Sequence, residues 1–139
     1  MTVEQRVCGH DGVHPAYFVA ATTPSSAAPI DVDELAVASY LLGEPARLCP
    51  GVTVGVEAVA DAELVMEAEI LPRVREPEGP FGEVSGYYAT RADRWVVRIK
   101  HMSMRRDPII STLHPGKEVW NGQGLGIEAN LFRTISRQV

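Results

Sequence analysis

Leu64-Val65-Met66-Glu67-Ala68-Glu69-Ile70-Leu71 carries apolar residues at every second position, Leu64, Met66, Ala68 and Ile70. Successive side chains of an extended strand point to opposite faces, so this spacing gathers them on one face and predicts a β-strand. Upstream, Val52, Val54 and Val56 repeat the period within a β-branched stretch that starts at Arg47, which predicts a further strand or two. Downstream, Leu71-Pro72 closes the strand. Pro77, Gly79, Pro80 and Gly82 then make residues 73–82 a bent loop, because proline lacks the ladder donor and glycine weakens pairing. Val84 to Thr90 and Arg94 to Met102 read as two more strands, a hairpin about Thr90-Arg91-Ala92-Asp93, and Ile109 to Leu113 as another.

Helical spacing is confined to two places. Leu35, Ala38, Leu41 and Leu42 recur at helical intervals after Asp31 and Asp33, either of which can cap the helix, and Gly43 is a natural stop. Ile127, Leu131 and Ile135 mark one face of a second helix, after the glycine-rich Asn121 to Gly126. Tyr17 to Thr22, short and apolar between His14-Pro15 and Thr23-Pro24-Ser25-Ser26, reads as a buried strand entering a loop. Strands outnumber helices. The expected class is α+β and β-rich, a core or barrel with one or two packed helices.

A chain of 139 residues, 45% hydrophobic and 22% charged, matches a soluble globular protein of one domain, and no linker divides it. No apolar run approaches the roughly 20 residues of a membrane span, and Met1-Thr2-Val3-Glu4 opens no export signal, so no membrane partner and a cytoplasmic location are expected. Cys8 and Cys49 are then expected to be reduced thiols. A net charge of −5 argues against nucleic acid; the one basic cluster, Arg98 to Arg106, alternates with Val97, Ile99 and Met102 as on the solvated face of a strand.

The residues best suited to chemistry are the carboxylates of Glu78-Gly79-Pro80-Phe81-Gly82-Glu83. On a straight strand Glu78 and Glu83 would face opposite ways. Glycine and proline allow a bend that turns both toward one cavity walled by Phe81, where loss of water would raise their proton affinity into a range useful for acid–base work. Taken alone, an ordinary surface loop with solvated glutamates is the simpler account.

The same segment, followed by Ser85-Gly86-Tyr87-Tyr88, resembles the signature of the UbiD carboxy-lyases. Gly12-Val13-His14-Pro15, Asp33-Glu34-Leu35-Ala36-Val37-Ala38, Ala60-Asp61-Ala62-Glu63 with Glu67, and Arg106-Asp107-Pro108-Ile109 resemble further family motifs in the same order, over most of residues 9–137. Val59 and Ala68 stand where the family usually has proline and glycine.

The resemblance implies an FMN-binding split β-barrel and the non-oxidative, reversible decarboxylation of an aromatic or α,β-unsaturated carboxylic acid with prenylated FMN. It implies that Glu83 protonates the substrate carbon after CO2 leaves and that Glu78 belongs to a Glu–Arg–Glu network. It also implies that Glu34 ligates a divalent manganese or magnesium ion, with potassium a further candidate, and that Ser25 and Ser26 lie near the cofactor.

Family members are longer. The segment carrying the catalytic arginine and the asparagine and histidine metal ligands precedes the equivalent of residue 9, and a closing domain follows the equivalent of Val139. Residues 1–139 are therefore expected to be a single, partial central domain, inactive or nearly so alone. The expected state is a homo-oligomer or a complex with a chain supplying the missing segments. The alternative is a non-catalytic split-barrel module that binds a flavin or a partner subunit.

Overall fold

The computed structural model describes residues 5–23, 31–83, 86–112 and 117–137. Its elements are β1 (Gln5–Asp11), α1 (Pro15–Ala21), α2 (Glu34–Leu42), β2 (Leu48–Pro50), β3 (Glu57–Val59), β4 (Leu64–Glu78), β5 (Ala92–Met104) and α3 (Lys117–Ser136). They gather into two compact units, one holding the five strands and one the three helices. The units interleave along the chain, so no single linker in the sequence marks the division.

In the strand unit, β4 is central to an antiparallel sheet of order β1-β4-β5, and β2 pairs with β3 in a second, two-stranded sheet. The β-rich expectation holds. The barrel is seen only in part, since among the described residues the two sheets are separate and unclosed. The alternating stretch at 64–70 pairs on both sides, Met66 with Gly9 and Met102, Ala68 with Val7 and Ile99.

Several sequence expectations are corrected here. Pro72 interrupts pairing but does not end β4: the register jumps from Ile70↔Val97 to Arg75↔Trp95, the extra residues forming a bulge in which Arg73 takes φ 60°. Beyond it, β4 and β5 continue as a two-stranded arm to Glu78↔Ala92, where Pro77 is tolerated because one side of β4 has no described partner strand. The hairpin is therefore β4–β5, and of the expected strand at 84–90 the described part shows a lone bridge, Gly82↔Tyr88. Residues 109–112 of the expected strand at 109–113 are irregular.

Val52 to Val56 is no strand either, but the turn joining β2 to β3. Gly55 takes φ 64°, and the Gly51 N–H closes the turn on the Val56 carbonyl at 2.9 Å. Over β1, the Arg6 guanidinium donates to the Val54 carbonyl at 3.3 Å, and His10 Nε2 accepts from the Val59 N–H at 3.0 Å. These contacts lay the β2–β3 layer on one face of the larger sheet. The buried Val54, Ala58 and Val59 form the core of that layer.

Gly12 closes this unit at the end of β1. It takes φ 63°, and an added Cβ would collide with the Glu63 side chain and the Ile109 carbonyl. The crossing segment is fixed there by Ser111 N–H to Asp11 Oδ1 at 3.0 Å and Ile109 N–H to Glu63 Oε2 at 3.4 Å. Gly12→Ala combines left-handed strain with a backbone clash and is expected to destabilise by about 3 kcal/mol, read as a lowered chemical-denaturation midpoint.

In the helical unit, residues 15–21 form α1 and not the expected strand. Pro15 sits at the helix start, His14 Nδ1 caps it by accepting from the Ala16 N–H at 3.2 Å, and Ala16 and Ala20, one turn apart, are buried. α2 follows the sequence closely: Asp33 Oδ1 accepts from the Leu35 N–H at 2.8 Å, and Gly43 ends the helix at φ 76°. Asp33→Ala removes that cap and should reduce stability by about 1 kcal/mol, measurable by the same denaturation. α3 starts well before Ile127 and runs through Gly122, Gly124 and Gly126, so the glycine-rich stretch is helical. Among the described residues no helix is long and apolar enough to cross a membrane.

Candidate functional site

The β4–β5 arm positions the two carboxylates singled out from the sequence. Glu78 ends β4, and its Oε2 lies 3.9 Å from Arg94 Nε on β5, with both side chains more than half exposed. Gly79, at φ 86°, turns the chain into a narrow ladder: the Glu83 N–H donates to the Tyr87 carbonyl at 2.8 Å, and the Ala89 N–H to the Phe81 carbonyl at 2.9 Å. Glu83 thus sits near the arm's tip by backbone geometry alone.

The bend forms, but the expected dry hollow does not form from the described residues. Glu78 and Glu83 stand in water, and Phe81, 47% exposed, walls nothing. Tyr87 and Tyr88 are both exposed. The desolvation that would make either glutamate a stronger base has to come from a surface placed over this arm. The arm's tip sets out Glu78 and Glu83 with Phe81, Tyr87 and Tyr88 on a short, hydrogen-bonded scaffold.

Glu34 is the first residue of α2 and is exposed. Ser25 and Ser26 lie outside the described residues. Among the described residues, no three histidine, cysteine or acidic side chains are grouped so as to hold a metal ion. A hard divalent cation takes about six oxygen ligands, so Glu34 suits it in kind but cannot hold it unaided.

The residue with the most perturbed electrostatics lies elsewhere. Glu67, on the face of β4 turned to the β2–β3 layer, is 1% exposed. Its carboxylate accepts from the Thr53 N–H at 2.6 Å, the Val52 N–H at 2.7 Å, the Val54 N–H at 3.0 Å and the Thr53 hydroxyl at 2.9 Å. These donors, the Thr53 N–H foremost, outweigh the opposing effect of burial and hold its pKa at about 2. Burial lowers the pKa of His10 and raises that of the Cys8 thiol, the latter with help from Glu67 and Cys49; both cysteines are free. Glu67 drew notice in the sequence only as part of a motif. The signal that could have found it is an acidic residue inside an apolar strand, coupled to a glycine-flanked turn that must satisfy its own backbone donors.

Open strand layers around an acidic, aromatic hairpin arm define a class of domain, and comparison with known proteins gives its family. The model of the UbiD family, the 3-octaprenyl-4-hydroxybenzoate carboxy-lyase Rift-related domain, matches residues 6–118, and the chain belongs to that family. A protein from Rhodospirillum rubrum described as an uncharacterized protein in the cooM 5' region is 45% identical over 128 residues, covering 92% of this chain and 28% of that protein. The UbiD-class enzyme HmfF from Pelotomaculum thermopropionicum, solved in complex with FMN, superposes with a TM-score of 0.91 at 40% identity, over 98% of this chain and 30% of its own. An evolved dimeric form of HmfF has been solved in complex with prFMN. The apo 3,4-dihydroxybenzoic acid decarboxylase AroY from Klebsiella pneumoniae gives 0.86 at 30% identity, again over 98% and 30%. The chain therefore spans under a third of the length of these relatives.

Proposed function

We infer that this chain is the carboxylate-bearing central part of a UbiD-type decarboxylase that removes CO2 from an aromatic or α,β-unsaturated carboxylic acid. The observation that carries the reading is the β4–β5 arm, which presents Glu78 and Glu83 within a domain that superposes on a flavin-bound UbiD-class enzyme at a TM-score of 0.91.

In this reading Glu83 holds a proton at its carboxyl oxygen and delivers it to the substrate carbon that has lost CO2; in the reverse direction it takes the proton back. Glu78 sits across the bend from Glu83 and, with an arginine from sequence beyond these residues, biases which of the two carboxylates is protonated. Phe81, Tyr87 and Tyr88 supply flat apolar surface to pack an unsaturated substrate and exclude water once the arm is covered. Glu34 would give one oxygen to a manganese or magnesium ion, and Ser25 and Ser26 are proposed to lie beside the cofactor. Prenylated FMN, when bound, would supply the electron sink for the electrons left on carbon.

The chain, supplemented with the polypeptide that flanks this domain in its relatives and with prenylated FMN and manganese, should release CO2 from cinnamic- or hydroxybenzoic-type acids. The exposed carboxylates give some weight to a non-catalytic flavin- or subunit-binding module. Flavin binding, followed by absorbance, with no CO2 release from the supplemented chain would favour that module and sink the enzymatic reading.

A further inference from the structure

Alternate residues of β1 meet the β2–β3 layer in sequence order. Arg6 reaches the Val54 carbonyl at 3.3 Å, the Cys8 thiol the Val56 carbonyl at 3.9 Å, and His10 the Val59 N–H at 3.0 Å. Segment 54–59 therefore runs along β1, with Cys8 under its middle. The Val56 carbonyl also accepts from the Gly51 N–H at 2.9 Å, so it points across the seam between β3 and β2, and Cys8 Sγ lies below that seam. Cys49 comes to the same seam from β2. It is paired with Ala58, and paired residues share a face. Ala58 is buried whereas Pro50 and Glu57, the next pair, are exposed, so the side carrying Cys49 and Ala58 is the one turned inward. Burial, followed by the charges of Glu67 and Cys49, raises the pKa of the Cys8 thiol, so Cys49 is within electrostatic reach of it. Both thiols are free and half-buried.

We propose that Cys8 and Cys49 form a reversible disulfide when a peroxide reaches the strand unit, stapling the β2–β3 layer to β1. A disulfide needs Cα atoms about 4.4–6.8 Å apart. The layer already lies close enough for a thiol, an imidazole and a carboxylate of the sheet to reach its backbone, so closure asks only a small shift of β2. Cys49 Sγ attacks one peroxide oxygen, the O–O bond breaks, and a sulfenic acid and one water result. Cys8 Sγ then attacks Cys49 Sγ, the S–O bond breaks, and the departing hydroxide takes the Cys8 proton as a second water. Two thiols are oxidised and one peroxide is reduced. The raised pKa of Cys8 keeps it largely protonated, which assigns it to the second step. The bond closes the loop 8–49, which contains α1 and α2, and removes much of the freedom that segment has in the unfolded chain.

The test treats the dilute 139-residue chain with one equivalent of hydrogen peroxide, blocks the remaining thiols and digests with trypsin. Peptides 7–47 and 48–73, each carrying one of the two cysteines, should be recovered joined to each other. Without reductant the oxidised protein should migrate as a single chain, and it should melt about 10 °C higher than the reduced protein. Dithiothreitol should reverse both the link and the shift. Cys8→Ser and Cys49→Ser should each abolish the joined peptides and leave the melting temperature unmoved by peroxide. The wild-type digest decides the matter even where a serine variant fails to fold. Sulfinic acids on separate peptides, or a bond formed only between chains, overturn the proposal, as does a linked chain that melts no higher than the reduced one.

Discussion

Glu83→Gln in the supplemented, cofactor-loaded protein is expected to lower CO2 release at least about a hundredfold, with little effect on flavin absorbance. A positioned acid contributes roughly a hundred- to ten-thousandfold to a proton-transfer step, and glutamine keeps the size and hydrogen-bonding outline of the side chain while having no proton to give. The Glu83 N–H to Tyr87 carbonyl bond, which sets the arm's tip, belongs to the backbone and survives the substitution. A loss of rate is therefore chemical and not architectural. Deuterium incorporation into the product from D2O should fall in parallel. Turnover unchanged in Glu83→Gln would remove Glu83 from the reaction, whatever the fate of the family assignment.

Glu67→Ala is expected to be the most damaging substitution to the fold. It leaves the N–H groups of Val52, Thr53 and Val54 and the Thr53 hydroxyl facing an empty buried site, where each lost partner is felt at nearly full strength. The melting temperature should fall by about 10 °C or more, followed by circular dichroism. The acid sensitivity of the wild type has the same origin. Glu67 binds its proton with a pKa of about 2 when folded and 4.5 as the ordinary value, so unfolding takes up a proton in between. Its stabilisation is complete above pH 4.5 and is lost as pH falls toward 2. His10, whose pKa burial lowers, adds a loss as pH drops below its ordinary 6.5. Glu67→Gln should flatten the decline of melting temperature below pH 4.5; an unchanged slope would show that other groups set acid stability.

The sequence by itself determined what depends on neighbours in the chain. The alternation at Leu64 to Ile70 defined the first half of β4, and Asp33 with Gly43 bounded α2, because strand period and helix caps are written within a few residues. The bend at Gly79 to Gly82 was legible for the same reason, as glycine and proline set their own backbone angles. The family motifs were readable too, being collinear.

Tertiary structure alone decided the rest. Val52 to Val56 has the period of a strand, yet it turns because the carboxylate of Glu67 takes the backbone donors a ladder would have used. Pro72 stops a strand in isolation, yet β4 resumes at Arg75 because β5 is present to pair with it. Solvent access to Glu78 and Glu83 was likewise beyond the sequence. Burial depends on residues distant along the chain, or on other chains, and a local pattern holds no record of what will cover it.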